Sequence, residues 1–147
     1  MAKAHVGILV CGTMGEAHHL SPEERIAVIK ATREALDGAG FHSAFIIAGT
    51  GVGSTRETIA RTEEAAAAGA DYSIVIPPGY FAAALGHDRK ALKEFFKDVS
   101  EASPIPVMVY NCRSFLVTCL YIQLQLTDSC LFVQIPVRLA ESTWKVT

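Results

Sequence analysis

No block of like charges occurs in the 147 residues: 13 lysines and arginines stand against 15 aspartates and glutamates, a net charge of −2. That excludes the electrostatic footprint of a nucleic-acid or anionic-membrane binder and leaves small molecules as the expected ligands. None of the four cysteines falls in a CxxC pair, which argues against a zinc site and a disulfide framework, so no metal is expected. No apolar run is long enough to span a bilayer, because the longest, from Phe115 to Leu126, is interrupted by Gln123 and Gln125. Met1-Ala2-Lys3-Ala4-His5 lacks the apolar core and cleavage site of a secretory signal, so a cytoplasmic protein is expected. With 50% hydrophobic and 19% charged residues the chain is too apolar for disorder and has the length of one domain with a sizeable core.

What is present is a repeating unit. Val6 to Cys11 is apolar on both faces apart from Gly7, as in a parallel strand covered on both sides, and it empties into Gly12-Thr13-Met14-Gly15-Glu16. Ser21-Pro22-Glu23-Glu24 then supplies an N-cap hydroxyl, a proline at the first helical position and a capping-box carboxylate. Ile26, Ile29 and Leu36 form the buried stripe of this helix, and Gly38 and Gly40 close it. The unit recurs as a strand over 44–48, a glycine-rich loop, a Ser54/Glu57 capping box and a helix ended by Gly69. It recurs again as a strand over 72–76, a Pro77-Pro78-Gly79-Tyr80-Phe81 loop and a helix from Asp88 that Pro104 stops. Val107-Met108-Val109 is a fourth strand delivering Tyr110 and Asn111. This rhythm predicts a parallel α/β sheet whose strand ends present Thr13, Glu16, Thr50, Tyr80, Phe81, Tyr110 and Asn111 on one rim.

Beyond Asn111 the character changes: all 11 glycines lie at or before Gly86, while Cys112, Cys119 and Cys130 crowd the end. The chain therefore divides at 1–111 and 112–147, with alternation over Phe115–Leu126 predicting one long strand.

A Tyr with a Thr hydroxyl in reach can relay a proton, and glycine turns expose N–H groups for a carboxylate or phosphate. His18, His19 and His87 read as surface or packing residues. Gly49-Thr50-Gly51-Val52-Gly53-Ser54 fits a dinucleotide loop poorly, because Asp71 precedes the next strand where the fingerprint wants an acid at its end.

Gly12-Thr13-Met14-Gly15-Glu16, Leu20-Ser21-Pro22-Glu23-Glu24-Arg25, Ala48-Gly49-Thr50-Gly51, Gly69-Ala70-Asp71, Pro78-Gly79-Tyr80-Phe81 and Pro104-Ile105-Pro106 to Tyr110-Asn111 carry a resemblance. From about Val6 to Asn111 the chain is similar to the dihydrodipicolinate synthase family, which includes N-acetylneuraminate lyase and 4-hydroxy-2-oxoglutarate aldolase. The resemblance implies a (β/α)8 TIM barrel, here about four parallel βα units corresponding to family strands two to five, with an atypical C-terminal tail. It implies a class I lyase or aldolase that holds pyruvate or another 2-oxo acid as a Schiff base on a lysine, needs no cofactor, and assembles as a homo-oligomer. Thr13 and Tyr110 would be the catalytic proton relay, Tyr110 also acting at the imine. Gly12, Met14 and Gly15 would bind the substrate carboxylate, and Phe81 would stand where many members place a second tyrosine.

Three departures bear on activity. Met14 replaces a threonine and leaves only backbone donors, Phe81 lacks a hydroxyl, and Cys112-Arg113 replaces the proline-containing continuation of Tyr-Asn. The family lysine belongs to the strand after Tyr110 in a Gly-x-Lys-acidic setting that this sequence does not contain, and Lys145 stands in no such setting. A chain inactive on its own is expected, and the alternative is a non-catalytic half barrel that binds a small anion or another subunit. Four strands would leave two open edges and an uncovered inner face, so self-association, or a tail folded over that face, is expected.

Overall fold

A computed structural model describes residues 2–4, 6–79, 88–110 and 130–133. Five strands form one parallel sheet in chain order: β1 Ile8–Val10, β2 Ile46–Gly49, β3 Tyr72–Val75, β4 Val107–Tyr110 and β5 Cys130–Val133. Among the described residues three α-helices connect the first four: α1 Pro22–Gly38, α2 Thr55–Ala67 and α3 Arg89–Ala102. This is the parallel α/β sheet the βα rhythm predicts and the partial barrel the family resemblance implies, with α1 packed on α2 and α2 on α3.

The helices begin where their caps dictate. Ser21 and Glu24 close a full capping box, the Ser21 N–H donating to Glu24 Oε2 at 2.8 Å and the Ser21 hydroxyl accepting from the Glu24 N–H at 3.3 Å. At α2, Ser54 accepts from the Glu57 N–H at 3.3 Å, but the Glu57 carboxylate turns to Arg61 at 3.1 Å, so an i,i+4 ion pair takes the place of the box's second half. Asp88 caps α3 through the N–H groups of Lys90 and Ala91, both at 3.0 Å. Gly40 and Gly69, at φ +79° and +102°, end α1 and α2 in left-handed turns that the sequence anticipates.

Alternate residues along the strands have opposite fates. Val10, Ile46, Ala48, Val75, Val107 and Val109 are buried under the helices. The other face, carrying Leu9, Ile47, Ile74 and Met108, is only half covered, and Leu9 is 52% exposed. Beyond the four strands that the βα rhythm anticipates, the structure has one at Cys130–Val133, parallel to β4 with Tyr110 opposite Val133. Leu131-Phe132-Val133 is a short bulky apolar run of the kind that extends a ladder, although no capped helix announces it. It lengthens the sheet at its edge. The strand anticipated over Phe115–Leu126 lies outside the described residues.

Candidate functional site

The first turn after β1 is built by its own backbone. Cys11 sits at φ 52°, in the left-handed region that costs a non-glycine residue energy, and redirects the chain out of the sheet. Gly15 donates its N–H to the Gly12 carbonyl at 3.1 Å, Glu16 to Thr13 at 3.1 Å and Ala17 to Gly12 at 3.3 Å, winding Thr13–Gly15 into one tight turn. The Thr13 side chain is exposed and Met14 is 97% exposed.

Arg25 holds this turn against the sheet. It lies on the first turns of α1, only 6% exposed, and its guanidinium donates from Nη1 to the Ala17 carbonyl at 2.9 Å and from Nη2 to the Gly49 carbonyl at the end of β2. Burial lowers its pKa from the usual arginine value; the nearby Cys11 thiol opposes this and the Arg61 charge reinforces it. The same burial raises the Cys11 thiol, against the pull of Arg25. Gly49 passes so close to β1 that a Cβ there would lie 2.1 Å from the Cys11 carbonyl oxygen, which is why glycine ends β2.

These elements enclose an open cavity of about 240 Å³ whose wall includes Gly12, Thr13, Met14, Gly15 and, from the end of β4, Tyr110. Arg25 and Arg61 line it as well. Of the residues expected at the site, the structure therefore brings Thr13, Tyr110, Gly12, Met14 and Gly15 together. Phe81, with Tyr80, His87 and Asn111, lies outside the described residues. Glu16 is exposed and sits at φ 49° at the end of the turn, outside the cavity wall.

Thr50 corrects the expected rim. It is 1% exposed, and its hydroxyl meets Ser73 Oγ at 2.6 Å and Thr62 Oγ1 at 3.0 Å, on the helix side of the sheet. A hydroxyl committed to buried partners braces the loop after β2 and is closed to a ligand. Arg25 had a signal in the sequence, since it precedes Ile29 by one helical turn on the buried stripe that ends at Leu36. A charge on an apolar stripe marks a side chain with interior partners.

Chemically the cavity combines two arginines, a threonine hydroxyl and a phenol, which suits holding an anion and moving a proton.

A sequence profile of the dihydrodipicolinate synthetase family matches residues 1–124. Over 112 residues the chain is 50% identical to a protein of Emericella nidulans named "Probable 4-hydroxy-2-oxoglutarate aldolase, mitochondrial", a match covering 76% of this chain and 36% of the relative. It is 46% identical, again over 112 residues, to the L-threo-3-deoxy-hexylosonate aldolase of Hypocrea jecorina, covering 76% of the chain and 35% of that protein. In structure it resembles the chloride-inhibited dihydrodipicolinate synthase of Acinetobacter baumannii, solved with pyruvate, with a TM-score of 0.64 and 34% identity over 76% of this chain and 37% of that one. The chain thus spans roughly a third of the length of these proteins. The expected cytoplasmic location does not survive the comparison, because the Emericella nidulans relative carries a mitochondrial name.

Proposed function

Because the chain belongs to the dihydrodipicolinate synthetase family, an aldolase-type class I lyase family, we propose that its rim is the carboxylate and proton-relay wall of a 2-oxo-acid lyase site. The observation that supports this most directly is that Thr13, from the turn after β1, and Tyr110, from the end of β4, line one cavity. In this reading backbone N–H groups of the Gly12–Gly15 turn receive the carboxylate of pyruvate or a related 2-oxo acid. Met14 offers no hydroxyl there, so the hold is weaker than a threonine would give. Thr13 passes a proton to or from Tyr110, whose phenol serves as acid and base at the substrate carbonyl. Phe81 holds the sequence position at which many members carry a second tyrosine, and the chain works within a homo-oligomer. The name of the fungal relative favours a mitochondrial setting.

The class I reaction needs an amine to form the imine that accepts electrons from the breaking carbon–carbon bond. The sequence holds no lysine in the Gly-x-Lys-acidic setting that the family resemblance implies. A second reading is therefore that these 147 residues bind a 2-oxo acid without turning it over and serve as a half-barrel binding or partner subunit.

Incubation with pyruvate and borohydride, read by intact mass beside pyruvate saturation-transfer NMR, separates these readings. The expected result is a pyruvate signal that Tyr110→Phe weakens, with no gain in mass. A reduced adduct on one lysine would overturn the inactive reading, and no pyruvate signal at all would overturn the site.

A further inference from the structure

Arg25 and Arg61 stand on the cavity wall, and among the described residues no carboxylate lines it. Arg25 is committed, since it is buried and both its terminal nitrogens donate to the Ala17 and Gly49 carbonyls. Arg61 has donors to spare. It lies on the second turn of α2 with its side chain 21% exposed, and its one bond runs from Nε to Glu57 Oε1 at 3.1 Å. Among the described residues neither of its Nη groups donates a hydrogen bond. The ion pair with Glu57 is itself open to water and salt, the Glu57 side chain being 52% exposed, so it holds Arg61 only weakly. Glu57 and Glu64 lie outside the cavity wall, and their charges act on Arg25 less than that of Arg61 does. One end of the cavity is therefore positive and rich in unused N–H donors.

We propose that Arg61 is a specificity-determining residue: its Nη groups hold a second carboxylate, so that the cavity takes a dicarboxylic 2-oxo acid in preference to pyruvate. This rests on the 2-oxo-acid reading, in which the Gly12–Gly15 turn takes the first carboxylate and Tyr110 meets the carbonyl. An acid with one carboxylate commits it to the turn and leaves Arg61 without a partner. A second carboxylate beyond the carbonyl meets two parallel N–H donors, and the planar guanidinium matches its two oxygens in a fork that an ammonium cannot reproduce. An apolar distal end has the opposite effect, because it would strip water from the guanidinium and return no hydrogen bond. Glu57 is a positioning residue in this arrangement: it holds Arg61 by Nε and leaves the Nη end for the ligand.

Calorimetric titration of the full chain with 2-oxoglutarate and with pyruvate reads the ratio of the two affinities. Charge-assisted hydrogen bonds are strong enough that 2-oxoglutarate should bind about tenfold more tightly, or better. In Arg61→Met the ratio should fall to near one, and Arg61→Lys, which keeps the charge and loses the fork, should recover part of it. A substitution that merely loosened the fold would weaken both acids together and leave the ratio where it was. Should Arg61→Met not fold by far-UV circular dichroism, Arg61→Gln carries the same expectation. A wild-type ratio near one, or a ratio unmoved by loss of the Arg61 charge, overturns the inference, while pyruvate binding that weakens in Tyr110→Phe keeps the 2-oxo-acid reading. Glutarate, with two carboxylates and no carbonyl, separates the opposite failure. If it binds as tightly as 2-oxoglutarate, depends on Arg61 and is indifferent to Tyr110→Phe, the 2-oxo-acid reading falls and Arg61 stands as the carboxylate-binding group. Binding of none of the three acids overturns both.

Discussion

The hydroxyls of Thr50 and Ser73 meet at 2.6 Å where no water reaches, joining the loop after β2 to the middle of β3. Thr62 of α2 stands 3.0 Å from Thr50 and donates to the Thr58 carbonyl at 2.8 Å, so one chain of hydroxyls ties helix, loop and strand together. A buried hydroxyl that loses its partner costs about 1–3 kcal/mol. Thr50→Val, which keeps the shape, should cost that much in urea unfolding. Adding Ser73→Ala should cost less than the sum of the two single changes, because the second removes the group the first left unsatisfied. Strict additivity would mean that the hydroxyls do not act together.

Arg25 is expected to be irreplaceable by lysine. A guanidinium fork reaches the Ala17 and Gly49 carbonyls at once, whereas an ammonium is a single point of charge on a flexible stem. Each hydrogen bond to a charged group contributes about 1.5–3 kcal/mol, so Arg25→Lys should lose roughly that for the bond it cannot make. The turn it clamps should loosen too, with faster hydrogen exchange at the amides of Gly15, Glu16 and Ala17. Unchanged exchange there would show that the turn stands without the clamp.

Much of this fold is legible from local chemistry. Ser21, Ser54 and Asp88 announce three helix starts, Gly40 and Gly69 two ends, and the apolar runs before each rim loop are the first four strands. Thr13 and Tyr110 come together because consecutive parallel strands put their C-terminal ends on one rim. Which way a loop side chain turns is set by tertiary neighbours. Thr50 reads as a rim hydroxyl until Ser73 and Thr62 are placed behind it, and Arg25 reads as one more motif letter until Gly49 and Ala17 are placed in front. β5 escaped notice because its place comes from pairing with β4, a partner distant in sequence, and not from any cap or turn of its own.

Two glycines should respond oppositely to alanine. At Gly49 the added methyl would meet the Cys11 carbonyl oxygen at 2.1 Å, backbone against backbone, and the ends of β1 and β2 would have to part. Overpacking of this kind costs about 1–3 kcal/mol, and Gly49→Ala should also disturb the cavity wall that Gly49 shares with Thr13. At Gly38, the last residue of α1, nothing lies within 4 Å of the added methyl and the backbone is not left-handed. Gly38→Ala should therefore stabilise by about 0.5–1 kcal/mol, through the lower entropy of the unfolded chain and the better helix propensity. Thermal midpoints of the two variants should move in opposite directions, and a shared direction would refute the contrast.

Cys11 should give stability a characteristic alkaline slope. Burial raises its thiol above the ordinary value of about 8.5, while the neighbouring Arg25 charge opposes the rise. As pH climbs past that ordinary value the unfolded thiol loses its proton first and the native one keeps it, so the native state binds more protons. Under that condition stability falls as pH rises, and Cys11's contribution, intact below the ordinary thiol pKa, is lost through the native one. Between about pH 7 and 10 the urea midpoint of the wild type should therefore fall more steeply than that of Cys11→Ala, which has no thiol to ionise. Alkylation of the peptide carrying Cys11, followed by mass spectrometry, gives an independent reading. Poor access scales the rate at every pH alike, whereas a raised pKa moves the midpoint of the rate profile upward. Arg25→Met takes away the cation that favours the thiolate, so in that variant the midpoint should move higher still. A midpoint at the ordinary thiol value in the wild type would show that the strained turn after β1 leaves Cys11 open to water.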